Sequence, residues 1–293
     1  MIIPLWAVFG LIAAVLSSAM LLTQEKFRVN GYVLAFWIKA VSVCVTAPFV
    51  LLNGAPADPL FYIYLLCTAV IYAISDVIFF NGITKTDAGA VSRLIPAAAV
   101  SGFLIWFIIQ PDLFAVYAAR PVISIGIFLT LCGFALCAFR LKKCNLTRKT
   151  VQAIWFVLVA ATIGPLFTKL TTFHAEREIG LYSYMFFQSA MMMGLWVLFL
   201  AVRKPISMTQ FFERKALIQS MMIGGISAAI VLMKLSAFYV VDNPAYIAAL
   251  ITLDSVLILF VYKLWGKKTH ADLKAGLGLV LCVAVLIVLR AQI

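Results

Sequence analysis

The chain has 293 residues, of which 65% are apolar and 12% are charged, whereas soluble domains are about half apolar and about a quarter charged. This composition excludes an ordinary soluble enzyme and indicates a chain built mainly of membrane spans. The formal net charge of +12 would suggest nucleic acid binding in a soluble protein. Basic residues also mark the cytoplasmic loops of membrane proteins, however, so we expect no nucleic acid partner.

Ten segments of the chain are apolar enough to cross a bilayer as helices, since a span needs about 20 predominantly apolar residues. In chain order these predicted spans cover residues 2–22, 33–52, 60–82, 86–109, 121–139, 151–172, 181–202, 217–240, 245–264 and 273–290. The linkers between them are short, so we expect no domain outside the membrane. The first segment has no basic residue before Lys26, which favours a membrane span over a secretory signal peptide.

The most basic linker, residues 140–149, separates five predicted spans from the next five. Residues 1–140 and 149–293 share an order of features, including an aromatic and polar helix and a later turn that contains Asp87 or Asp242. Because five helices cross the membrane an odd number of times, the second unit must insert upside down, as in many secondary transporters. The predicted fold class is therefore an all-α integral membrane protein of ten transmembrane helices in two inverted five-helix repeats.

Basic residues are distributed unevenly between the loops. Sixteen of the 23 lysines and arginines lie in odd-numbered loops, and three lie in even-numbered loops and at the C-terminus. The positive-inside rule places the odd-numbered loops in the cytoplasm and both termini on the non-cytoplasmic side. We expect a multi-pass protein of the cell membrane, such as the bacterial inner membrane, that acts as a monomer or a homodimer.

Six charged side chains lie inside the predicted spans and at least three residues from a span end. Each costs about 2.5–3.5 kcal/mol at the bilayer centre unless it is paired, hydrated or near the interface. They are Lys39, Asp76, Arg93, Lys169, Lys234 and Asp254. Counting from the span ends predicts one charged layer at each end of a central cavity, with Asp254 near mid-depth. Four cations against two aspartates leave a net charge of +2, which favours an anionic or zwitterionic substrate.

The binding hypothesis assigns Lys39 and Arg93 to an anionic group of the substrate, with Asp76 orienting or neutralising them. The alternative is a structural ion pair of Asp76 with Lys39 or Arg93 that allows a polar helix to insert. Lys234 is a further substrate-binding candidate. A lysine within reach of the interface also extends its ammonium group to the lipid headgroups, which is the competing role for Lys234.

Asp254 is the candidate coupling residue. A carboxylate in a medium of low dielectric tends to take up a proton, which would link transport to a proton gradient. The alternative is a protonated aspartic acid that hydrogen-bonds a neighbouring helix. Ser17, Trp37 and Gln188 complete the predicted substrate-binding set, and hydrogen bonding between helices is the competing role for such polar residues.

Three degenerate apolar segments carry a family resemblance: residues 88–107 with Pro96, residues 244–268, and residues 271–289. They resemble the fourth, ninth and closing helices of the drug/metabolite transporter superfamily, in particular of its ten-helix EamA-type members. Residues 253–256 read Leu-Asp-Ser-Val where that family commonly has Leu-Glu-Pro-Val. Its members are usually described with both termini inside, whereas the loop charges here predict the opposite orientation.

Together, the embedded charges and the resemblance predict a secondary transporter for a small anionic or zwitterionic metabolite, an amino acid or a related compound. Transport would occur by alternating access, and the resemblance implies efflux. The alternative is a flippase for a phosphate-bearing lipid or lipid-linked intermediate, whose headgroup Lys39 and Arg93 would bind. We do not expect an enzyme, because the sequence shows no catalytic constellation. The expected partners are the substrate, the bilayer and coupling protons, with no cofactor and no metal ion.

Overall fold

The computed structural model describes residues 3–85, 96–141, 148–203, 205–267 and 272–293. Within these residues every regular element is a helix, the form in which a backbone in lipid satisfies its own hydrogen bonds. The first half contains α1 (Leu5–Phe27), α2 (Gly31–Asn53), α3 (Pro59–Lys85), α4 (Pro96–Ile109), α5 (Pro111–Ala118) and α6 (Pro121–Arg140). The second half contains α7 (Arg148–Thr171), α8 (Arg177–Arg203), α9 (Met208–Phe211), α10 (Arg214–Val240), α11 (Ala245–Ile251), α12 (Asp254–Leu264) and α13 (Leu273–Arg290).

Local sequence signals explain where several helices begin. Helices α3 to α6 each start with a proline, because its fixed φ suits the first helical position and its missing N–H is not needed there. The Asp272 side chain accepts hydrogen bonds from the backbone at the start of α13, as a good capping residue does. A residue before proline avoids the helical conformation, so the chain turns at Gln110, and α4 and α5 are bent by 108°.

The number of apolar helices agrees only in part with the predicted ten spans. Eight helical segments of the described residues are long and apolar enough to cross a membrane, or nine if the bent pair of α4 and α5 forms one span. The predicted fourth span, 86–109, begins with residues 86–95, which lie outside the described residues. The predicted sixth span falls in α7, whose described apolar stretch, Trp155–Thr171, is shorter than the others. The count of ten stays a prediction.

The outer surface of the helix bundle is apolar. Leu51 and Val122 are each more than 80% exposed. Most of the long helices carry further large hydrophobic side chains that are exposed to a smaller degree. A soluble monomer rarely exposes such extensive apolar surface, whereas lipid tails solvate it without penalty. The fold is thus consistent with a multi-pass membrane protein.

Packing between the halves determines where the interior space lies. The most extensive contacts join α1 to α10, α2 to α8, α6 to α13, α2 to α10, and α3 to α7. A Cβ atom on Gly224 of α10 would lie 2.9 Å from Cγ2 of Val41, so the missing side chain allows α2 and α10 to pack closely. A central cavity is surrounded by α1, α2, α3, α7, α8 and α10, together with α11 and α12.

The two ends of the bundle are each held by contacts between the halves. At the end that we call the basic end, the Lys267 ammonium group lies 2.7 Å from the Glu25 carboxylate. At the other end, called the opposite end, Nδ1 of His174 lies 2.7 Å from Oδ2 of Asp58. Linkers 28–30, 205–207 and 265–267 lie at the basic end, and linkers 54–58, 172–176 and 241–244 lie at the opposite end.

Candidate functional site

The central cavity has a volume of about 260 Å³ and is lined mainly by apolar side chains. Ser17 in α1, Tyr72 in α3 and Ser227 in α10 belong to its wall, and each lies near the middle of its helix. The cavity is therefore at mid-depth in the bundle, where charged groups are most costly and most often functional.

Most of the predicted site residues lie together in the wall of this cavity. They are Ser17, Lys39, Asp76, Gln188, Lys234 and Asp254. Trp37 does not join them: its Nε1 donates a hydrogen bond of 3.2 Å to the Phe211 carbonyl oxygen, and its ring packs on Phe211 and Phe212. The physical reason is helical periodicity, since residues two apart on a helix point in very different directions. Arg93 lies outside the described residues.

Lys39 and Asp76 form an ion pair that joins α2 to α3. The Lys39 ammonium nitrogen lies 3.4 Å from Oδ2 of Asp76, and the two side chains are 10% and 24% exposed. Each charge compensates the other in an interior where a lone charge would be costly. The pairing is the one that the structural alternative predicts, but both side chains also face the cavity, so a substrate has access to them.

Asp254 lies at a break in the helical path between α11 and α12. Its Oδ2 accepts a hydrogen bond of 2.8 Å from the Ser17 hydroxyl, and its Oδ1 accepts one of 3.2 Å from the Ser255 hydroxyl. The backbone N–H groups of residues 255–257 donate to carbonyl oxygens of the preceding turn, so α11 and α12 continue into one another through a short turn. Ala245–Leu264 forms one apolar span of 20 residues, so Asp254 lies near the middle of a span, where a charge is costly and characteristically functional.

Lys234 links these charges electrostatically. It lies close enough to Asp254, Asp76 and Lys39 to interact with all three. The charges that the sequence places in separate layers thus line one cavity. Among the described lining residues, two lysines face two aspartates, so the cavity is balanced.

Lys169 lies outside that lining. Its ammonium group donates a 2.7 Å hydrogen bond to the Phe238 carbonyl oxygen and lies 4.9 Å from the centre of the Phe173 ring. This side chain is buried, 5% exposed, and a backbone acceptor and an aromatic face compensate its charge. The net charge of +2 obtained by counting embedded residues therefore overstates the charge of the described cavity wall.

Sequence reasoning missed a hydroxyl network between α7 and α8. The Thr168 hydroxyl lies 2.9 Å from the Tyr184 hydroxyl, and Nε2 of Gln188 donates to the same Tyr184 oxygen at 2.8 Å. Tyr72 completes this part of the wall, and a Cβ on Gly164 would overlap its hydroxyl and lie 2.7 Å from its Cε1. The adjacent glycine and proline of α7 were the only local signal of this arrangement.

Comparisons with known proteins support the fold and leave the activity open. No family model matches the sequence, and no protein of curated function matches it. A solved structure described only as "Crystal structure of protein" matches with a TM-score of 0.65 and 12% sequence identity. The match covers 98% of this chain and 96% of the other chain, so the fold of the described residues is similar to that of a solved structure.

Proposed function

We propose that this protein is a secondary transporter that moves a small zwitterionic or anionic metabolite, an amino acid or a related compound, by alternating access. One observation carries the proposal: a cavity at mid-depth of an apolar helix bundle is lined by Lys39, Lys234, Asp76 and Asp254. Ionisable groups inside a membrane are costly and characteristically mark a substrate or ion pathway. Their balanced charges favour a zwitterion over a phosphate headgroup, which would bring net negative charge.

The pattern of helix contacts supports two inverted repeats of five spans. If α1, α2 and α3 are exchanged with α7, α8 and α10, the contact of α1 with α10 becomes the contact of α7 with α3, and both are among the most extensive. The same exchange turns the contact of α2 with α10 into that of α8 with α3, which is also extensive. A pseudo-two-fold relation of this kind supports membership of the drug/metabolite transporter superfamily and allows one half to rock against the other. Efflux is proposed from the sequence resemblance.

Contacts at both ends of the bundle suit alternating access. The pair of Glu25 and Lys267 joins the two halves at the basic end, and the pair of Asp58 and His174 joins them at the opposite end. Each pair joins a residue of the first half to a residue of the second. Rocking of the halves would separate one pair while the other stays closed, so the cavity would open to one side at a time.

Transport into proteoliposomes tests the proposal. We expect purified protein to transport L-leucine, a zwitterion whose side chain suits the apolar wall, and Lys39→Ala to reduce the initial rate at least tenfold. The matched control is Lys263→Ala, which removes an exposed lysine outside the cavity and should leave the rate unchanged. Arg93→Ala should also reduce the rate. Normal transport by Lys39→Ala, or transport of no amino acid by the unmodified protein, would contradict the proposal.

We assign Asp254 as the coupling residue of this transporter. Its carboxylate accepts a hydrogen bond from the Ser17 hydroxyl and is attracted electrostatically by the Lys234 ammonium group. Protonation would remove the attraction to Lys234 and change the balance of charge in the cavity. Asp254→Asn, which keeps the size and shape of the side chain but cannot take up a proton, should abolish acceleration by a pH gradient but retain exchange of L-leucine across the membrane. Gradient-driven transport by this variant would rule out Asp254 as the coupling group.

A further inference from the structure

The α7 segment of the cavity wall contains a backbone carbonyl without its helical donor. Pro165 lies inside α7 and has no N–H group, so the carbonyl oxygen of Ala161, four residues earlier, loses the hydrogen bond that a regular helix would supply. Ala161 and Pro165 both line the cavity and are both partly exposed. A carbonyl freed in this way at membrane depth needs a donor from a neighbouring group, water or a ligand.

The neighbouring α8 segment offers a second acceptor, and the hydrogen-bond network fixes its identity. Nε2 of Gln188 donates to Thr68 at 3.1 Å and to Tyr184 at 2.8 Å. Thr68 gives its own proton to the Leu65 carbonyl oxygen, so its oxygen can only accept the Gln188 proton. Both amide protons of Gln188 are thus used inside the wall, which leaves the Oε1 carbonyl as the atom that Gln188 offers to the cavity.

The polarity of Tyr184 follows from the same network. The Thr168 hydroxyl donates to the Gly164 carbonyl oxygen at 2.9 Å, so its oxygen accepts the proton of the Tyr184 hydroxyl, 2.9 Å away. The Tyr184 oxygen is then free to accept from Gln188, as its distance indicates. The assigned protons of Gln188, Thr168 and Tyr184 are therefore all used within the wall.

Both acceptors belong to residues that line the same cavity of about 260 Å³. The bond between Thr168 and Tyr184 joins α7 to the antiparallel α8. The backbone of Gln188 lies about 6 Å from that of Tyr184 towards the basic end, given a rise of about 1.5 Å per residue, and its amide group reaches back to the Tyr184 hydroxyl. The backbone of Ala161 lies about 10 Å from that of Thr168 in the same direction, and its carbonyl points back towards Thr168.

We propose that the Ala161 carbonyl and Oε1 of Gln188 form a subsite for a primary ammonium group, so that the substrate binds with its ammonium at the α7–α8 wall and its carboxylate at the lysines. An ammonium group has three protons and no acceptor, and it matches two carbonyl oxygens, which can only accept. This assignment rests on the proposed transport of a zwitterion, and it adds the orientation of that zwitterion and the requirement for an unsubstituted amine.

Three ligands of one carbon skeleton test the subsite: L-leucine, 4-methylpentanoate, which lacks the amine, and 3-methylbutylamine, which lacks the carboxylate. Binding to purified protein is measured from the ligand-dependent rise in unfolding temperature. Pro165→Ala restores an N–H that would bond the Ala161 carbonyl. We expect it to weaken both amines about tenfold, the size of a lost hydrogen bond to a charged group, and to leave 4-methylpentanoate unchanged.

The control variant is Pro48→Ala, which removes the proline inside α2 at an exposed position and should change no affinity. Gln188→Met, which removes Oε1 at similar length, should repeat the amine-selective loss. Equal weakening of all three ligands by Pro165→Ala, or no weakening, overturns the subsite. Lys39→Ala should weaken only the two carboxylates. If it does so while Pro165→Ala has no selective effect, the proposed function survives and the subsite fails; if the unmodified protein binds none of the ligands, both fail.

Discussion

The ion pair of Lys39 and Asp76 permits a quantitative prediction by a double-mutant cycle of Lys39→Met and Asp76→Asn. The 3.4 Å separation corresponds to about 5 kcal/mol of Coulomb attraction at an effective dielectric of about 20 and about 1 kcal/mol in water. With Lys39 nearly enclosed and Asp76 partly open to the cavity, we expect a coupling of about 2 kcal/mol. Each single variant should lose about 3 kcal/mol, because it leaves one embedded charge without its partner.

Equilibrium unfolding in mixed micelles, followed by tryptophan fluorescence, measures the four free energies of unfolding. The double variant should be destabilised by about 4 kcal/mol, less than the two single losses together, since no unpaired charge remains. Lys263→Met, at an exposed position outside the cavity, should change the stability by less than about 0.5 kcal/mol. Strictly additive losses in the cycle would refute the pairing.

The same cycle has a functional arm. A substrate carboxylate competes with Asp76 for the Lys39 ammonium group, so Asp76→Asn should strengthen the binding of 4-methylpentanoate, whereas Lys39→Met should weaken it. If both variants weaken this ligand equally, Lys39 does not contact the carboxylate, and the pair has the purely structural role that the sequence left open.

Two further predictions concern Tyr72 and the opposite end of the bundle. Gly164→Ala should displace Tyr72 from the cavity wall and destabilise the protein by about 1–3 kcal/mol, whereas Gly225→Ala, where an added Cβ meets no atom within 4 Å, should not; equal unfolding temperatures for the two variants would contradict the packing. Hydrogen bonds from the Leu60 backbone and from His174 lower the pKa of Asp58, so its stabilising effect should be complete above the unfolded pKa of about 3.9 and disappear as the pH falls through the lower folded value. Asp58→Asn should therefore reduce the loss of unfolding temperature below about pH 4, and an unchanged acid profile would show that this contact does not matter.

Much of the candidate site could be predicted from individual residues, because a charged side chain within an apolar stretch of sequence is easy to recognise. Lys39, Asp76, Lys234 and Asp254 were selected on that ground, and all four line the cavity. The sequence did not show that Trp37 lies outside the cavity wall, because the residue type does not reveal which face of α2 the side chain occupies. Tyr72, Thr168 and Tyr184 were missed because aromatic and hydroxyl side chains in an apolar helix have the same composition whether they pack against helices or line a cavity.

Hydropathy alone was enough to establish the helical, membrane-like class of the chain. A backbone in lipid must satisfy its own hydrogen bonds, and a continuous apolar stretch of about 20 residues does so as a helix. The sequence also determined which charges are embedded, since that depends only on position within a stretch. Which of these charges contact one another depends on the tertiary structure. The ion pair of Lys39 with Asp76, the hydrogen bond from Lys169 to the Phe238 carbonyl oxygen and the hydrogen bond from Ser17 to Asp254 each join two different helices. Such contacts depend on rotation and packing of whole helices, about which local composition carries no information.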